Sequence, residues 1–66
     1  MATYSITITF ENDKTQEFII NGVEAAYEVF ERACALAEVT HSKKVEMWAA
    51  EDEDGSRWEQ IEEEEF

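Results

Sequence analysis

The chain has no proline, two glycines, one cysteine and one histidine among its 66 residues. Each scarcity closes off a class of chemistry. Gly22 and Gly55 stand alone, so no Gly-rich loop is available to cradle a phosphate. A single cysteine, Cys34, cannot form an internal disulfide framework and suits a reducing compartment. His41 lies seven positions from Cys34, which on one continuous helix is two turns, or about 10 Å. The two therefore do not make a nucleophile–base pair. Basic residues number five against seventeen acidic ones, too few for the cationic stripe on which nucleic-acid affinity rests. No apolar run approaches the roughly 18 residues of a membrane span. No basic segment followed by an apolar run opens the chain, so no signal peptide is expected. These absences predict a cytoplasmic protein without cofactor or metal, and not an enzyme.

What is present is acid and a modest core. The net charge is -12, the hydrophobic fraction is 44%, and eight residues are aromatic. The length has room for one domain, residues 1–66, with little capacity for a large internal cavity. The field of such a chain repels nucleic acid and anionic membranes and attracts basic surfaces.

The pattern along the chain predicts an α+β fold of order ββαββ: a four-stranded antiparallel sheet with one helix packed on one face. In "TYSITITFE", Tyr4, Ile6, Ile8 and Phe10 alternate with polar residues, the period of a half-buried strand. "ENDK" supplies turn residues that tolerate left-handed geometry, and "TQEFII" (15–20) follows as a second strand. "NGVE" predicts a helix start with Asn21 as the cap and Glu24 three residues on. From Val23 to about Val39 the period is helical, with Val23, Ala26, Tyr27, Phe30, Ala33, Cys34 and Ala37 as one apolar stripe, widened by Val29 and Leu36. "THSKK" brings basic groups to the helix's negative end. "KVEMWAA" (44–50) is a third strand and "SRWEQIE" (56–62) a fourth. A turn over 51–55 would set Ala50 opposite Ser56 and Trp48 opposite Trp58, and "EEEEF" (62–66) would form a frayed tail. Strand order 2-1-3-4 keeps every neighbour antiparallel and puts the first strand inside the sheet.

The acids fall into three groups. Glu24, Glu28, Glu31 and Glu38 recur at helical spacing on the solvent side, where neighbours three or four residues apart sit about 5–6 Å from one another. Glu51, Asp52, Glu53 and Asp54 form a second cluster. Glu59 and Glu62 belong to a third that runs on to Glu65. The stretch around "DEDG" superficially matches a calcium loop, with Asp52 and Asp54 at its third and fifth positions and Gly55 at the sixth. Its first and twelfth positions are Ala50 and Ile61, where carboxylates are required. That leaves at most a weak divalent site in a solvated turn. Charge at this density is comparable to that of a nucleic-acid backbone, where duplex DNA carries about one charge per 1.7 Å of axis.

On "VEAAYEVFERACALAE", "EDEDG" and "EQIEEEE" the chain resembles small acidic phage-encoded DNA mimics, anti-CRISPR proteins above all. The resemblance is one of composition and architecture over the whole length and carries no residue-by-residue motif. It implies a stoichiometric inhibitor in the host bacterial cytoplasm. Such an inhibitor would occupy the basic groove of a nucleic-acid-binding protein, such as a Cas effector subunit, and block target DNA binding. The partner-facing residues would be Glu24, Glu28, Glu31, Glu38, Glu51, Asp52, Glu53, Asp54, Glu59 and Glu62, on a monomer. The competing expectation is a small adaptor that associates through its open sheet face or an edge strand, as a homodimer or with another protein.

Overall fold

The computed structural model of the chain describes residues 2–50 and 58–66. Two strands, β1 (Thr3–Thr9) and β2 (Thr15–Asn21), are followed by a helix, α1 (Val23–Val39), and two further strands, β3 (Lys44–Ala50) and β4 (Trp58–Glu65). The strands form one antiparallel sheet of order β2-β1-β3-β4, as the alternation in the sequence predicts. Ile6, Ile8, Val45 and Met47 project from the two central strands and are fully buried beneath α1. They meet Ala26, Ala33 and Ala37, whose small side chains bring the helix close to the sheet. Phe10, Phe18, Ile20, Val29, Phe30, Cys34 and Ala49 pack around this centre.

The first hairpin follows from its turn chemistry. The Asp13 N–H donates to the Phe10 carbonyl at 3.0 Å and the Phe10 N–H to the Lys14 carbonyl at 2.8 Å. Asp13 adopts φ 68, the left-handed position that a three-residue hairpin loop requires. Its carboxylate pairs with Lys43 across the end of the sheet.

Several expectations are corrected. Asn21 does not cap the helix. It is the last residue of β2 and accepts a hydrogen bond from the Thr3 hydroxyl at 3.0 Å. Gly22 takes the N-cap position at φ 95, and among the described residues no side chain caps this end of the helix; only glycine turns there without a Cβ penalty. No basic residue lies in the last helical turn. Lys43 and Lys44 come after it and pair with Asp13 and Glu46 instead. The apolar stripe is narrower than its periodicity suggests: Val23, Tyr27 and Leu36 are exposed, because one helix over one sheet buries only the residues nearest its line of contact.

The second hairpin departs most. Ala50 pairs with Trp58 and Trp48 with Gln60, a register two residues away from the expected one. The expected partner Ser56 lies outside the described residues. Glu62 to Glu65, expected as a frayed tail, are the second half of β4, and the Phe66 N–H donates to the Lys43 carbonyl at 3.0 Å. A bulge interrupts the ladder between Met47 and Trp48, leaving Ile61 unmatched between Gln60 and Glu62. A strand with one aliphatic residue among five glutamates offers little hydrophobic pattern to fix its register.

Candidate partner-binding surface

α1 lies over β2, β1 and β3 and contacts β4 little. It therefore has two flanks of different character. Helical periodicity puts Tyr27, Glu31, Cys34 and Glu38 on one side of the buried alanines and Val29, Arg32 and Leu36 on the other. Side-chain contacts identify which side faces which edge of the sheet. The Tyr27 hydroxyl donates to a Glu62 carboxylate oxygen of β4 at 3.2 Å, whereas Val29, Arg32 and Leu36 border a groove shared with Phe18 of β2.

The acidic flank is thus built from two elements. Glu24, Glu31 and Glu38 are exposed on the helix. Glu59, Glu62 and Glu64 of β4 pair with Ala49, Met47 and Val45, whose neighbours Ile6 and Ile8 face the helix, and so lie on the helix side of the sheet. Cys34 sits at the seam. Partial burial pushes its thiol above the ordinary value, and the nearby carboxylates of Glu64 and Glu31 push it further. The same crowding acts on Tyr27. Desolvation first, then its hydrogen bond to Glu62 and that group's charge, raise its hydroxyl above the ordinary 10.0. Both groups stay neutral near neutral pH, so neither adds to the negative charge beside it.

Of the residues singled out from sequence, Glu24, Glu28, Glu31 and Glu38 are all exposed on α1. Glu28 differs from the rest: it is ion-paired with Arg32 at 2.9 Å on the outer surface. Glu59 is exposed and Glu62 half-buried. Glu51, Asp52, Glu53 and Asp54 lie outside the described residues. Sequence reading missed Glu64 as a flank residue because it assigned 62–66 to a tail. It missed Tyr27 as the bridge because it assigned that ring to the core. Glu63 and Glu65 pair with Glu46 and Lys44 and share their face, away from the helix.

α1 and β4 together carry nine glutamates. At about 1.5 Å per helical residue and 3.3 Å per strand residue, each element runs about 25 Å. Six of the nine, Glu24, Glu31, Glu38, Glu59, Glu62 and Glu64, lie on the acidic flank, about one carboxylate per 4 Å of length against 3.4 Å between phosphates along one strand of duplex DNA.

The open sheet face holds a second concavity, where Ser5, Thr7, Glu17, Trp48 and Trp58 line a shallow depression of about 200 Å3. Ser5 is buried and donates to Glu17 at 2.6 Å. Trp48 and Trp58 share this face although they are not directly opposed. Among the described residues no group of three His, Cys, Asp or Glu side chains is placed to hold a metal ion, and no helix is long and apolar enough to cross a membrane. No protein-family model, curated protein or solved structure matches this chain.

Proposed function

We propose that the protein is a nucleic-acid-mimicking inhibitor, acting by occupancy and not by catalysis, whose acidic flank fills the cationic groove of a nucleic-acid-binding protein. The observation that carries this reading is the joining of two carboxylate rows on one flank by the Tyr27–Glu62 hydrogen bond and by Cys34 between Glu31 and Glu64. Acids held on a helix and a strand keep fixed separations, as a phosphate backbone does. Complementary charge of this kind speeds encounter and selects partners. The resemblance to anti-CRISPR proteins directs the proposal to a Cas effector subunit as the receiver, with block of target DNA binding as the consequence.

The test measures binding of target duplex to purified CRISPR effector complexes with and without the protein. It also uses a basic nucleic-acid-binding protein captured from bacterial lysate and released by salt. The expected result is loss of DNA binding at stoichiometric inhibitor. The double variant Glu31→Lys/Glu64→Lys should weaken inhibition by about tenfold or more, as removal of close interfacial charge pairs does, while the far-ultraviolet circular dichroism stays unchanged. Inhibition that persists undiminished in a folded double variant, or captured partners that do not bind nucleic acid, would sink the proposal.

A further inference from the structure

We propose that the outer edge of β2, together with the groove between β2 and α1, captures an extended basic segment of a partner protein as a fifth antiparallel strand. This surface lies on the flank of α1 opposite the acidic one and does not depend on the reading above.

The first observation is the direction of the free backbone groups. The Gly22 N–H donates to the Ala2 carbonyl at 2.9 Å and the Phe10 N–H to the Lys14 carbonyl at 2.8 Å. In the β1–β2 register these pairs continue as Tyr4↔Ile20, Ile6↔Phe18 and Ile8↔Gln16. Antiparallel ladders alternate bonded and non-bonded pairs. Gln16, Phe18 and Ile20 therefore bond inward to β1, and Thr15, Glu17, Ile19 and Asn21 direct their amides and carbonyls outward. β2 is terminal in the sheet, so among the described residues those groups face no other strand.

The second observation is the groove. Ile8, Phe18, Val29, Arg32, Ala33 and Leu36 enclose about 160 Å3 with an almost wholly apolar lining. Leu36 is 49% exposed at its rim. The groove lies on the helix side of the sheet, directly beside Phe18. A residue added opposite Phe18 would insert its side chain there, and the space suits one aliphatic group. Main-chain pairing with a pocket for alternate side chains is an established mode of peptide capture.

The third observation selects the occupant. On the other face of β2, Glu17 and Ile19 point the same way, and Ile19 is 58% exposed. A cation opposite Glu17 and an apolar side chain opposite Ile19 would satisfy both as cross-strand pairs. Read in the antiparallel direction, the added strand has the sequence apolar–aliphatic–basic. A second copy of this chain would bring another net charge of -12 to the same edge, so a basic partner segment is favoured over self-pairing.

The probe is the fluorescein-labelled peptide Lys-Thr-Val-Leu-Lys-Thr-Lys, with its valine, leucine and central lysine opposite Ile19, Phe18 and Glu17. It is titrated at physiological ionic strength. The control is the same peptide N-methylated at the valine and the central lysine, the residues whose amides would bond to β2. Charge is unchanged and two donors are lost, so binding should fall about tenfold or more. Ile19→Pro should do the same. Proline is tolerated on an edge strand where the replaced N–H points to solvent, and the variant's fold is checked by circular dichroism. Leu36→Glu should weaken the parent peptide about fivefold or more by spoiling the groove. Should Ile19→Pro unfold, amide exchange in the native chain decides the matter: Glu17 and Ile19 must become protected when peptide is added.

Equal binding of the parent and methylated peptides, or no binding of either, overturns the proposal. So does a dimer seen by light scattering that Ile19→Pro abolishes, because the occupant would then be a second copy. Glu31→Lys/Glu64→Lys should leave the ratio between the two peptides unchanged, which separates failure here from failure of the acidic flank.

Discussion

β2 and β4 are both edge strands of one sheet, of seven and eight residues, yet β2 carries a single charged side chain, Glu17, and β4 carries five glutamates. An exposed edge is a template for unwanted pairing, and charge is one way to blunt it. β4 has that protection along its length, and the bulge at Ile61 disturbs its ladder as well. β2 has neither. Its Phe18 and Ile20 reach the core while Ile19 stays exposed. The difference teaches that the two edges meet solvent on different terms: β4 is built to repel strands and attract cations, and β2 is left open to main-chain pairing.

The largest effect that would test this contrast is on stability. Phe18→Ala on β2 should cost about 2–4 kcal/mol, toward the lower part of the range for large core truncations because the ring is half-buried. Ile61→Ala on β4 should cost less than about 1 kcal/mol, because its side chain is 36% exposed. Urea unfolding measures both. Equal costs would mean that β4 contributes to the core as β2 does.

A smaller effect concerns the repulsion that β4 carries. Glu63 lies directly opposite Glu46 on the open face, and like charges in that position are unfavourable. Glu63→Lys should stabilise the fold by about 0.2–1 kcal/mol, a gain that shrinks as salt is added. A neutral or destabilising result at low salt would show that β4 does not bear the repulsion assigned to it.

The smallest effect is local to the acidic seam. The Cys34 thiol is raised above its ordinary value of 9.0 by burial and then by Glu64 and Glu31. A group raised on folding contributes stability that is complete below its unfolded value and is lost as pH rises through its folded value. Stability should therefore decline on the alkaline side, and the pH midpoint of Cys34 alkylation should lie above 9.0. Glu31→Gln/Glu64→Gln should lower that midpoint without returning it fully, because burial remains. A midpoint unmoved by the double substitution would place the two carboxylates away from the thiol.

Much of this arrangement was legible in the residues. Tyr4, Ile6 and Ile8 alternate cleanly, and their strand is central and buried. Asn12 and Asp13 announce a tight turn, and Asp13 is the residue that turns left-handed. The spacing of Glu24, Glu28, Glu31 and Glu38 gave one solvent-facing row on the helix, although Glu28 turns to pair with Arg32. Less legible were residues whose environment depends on a distant segment. Asn21 has the chemistry of a helix cap, but Thr3, eighteen positions away, takes its side chain. Tyr27 fits an apolar stripe, but Glu62 lies within reach of its hydroxyl.

By itself the sequence determined the element order, the antiparallel sheet and the excess of negative charge, because hydrophobic period and charge are properties of the local chain. Only the tertiary structure decided that β4 continues to Glu65, that its register places Glu62 and Glu64 beside α1, and that the helix divides an acidic flank from an apolar one. The physical reason is that a strand of near-uniform polarity carries no periodic signal of which residues face the core. Its register is fixed instead by contacts with partners remote in sequence, through backbone pairing to β3, the Tyr27 hydroxyl and the Lys43 carbonyl.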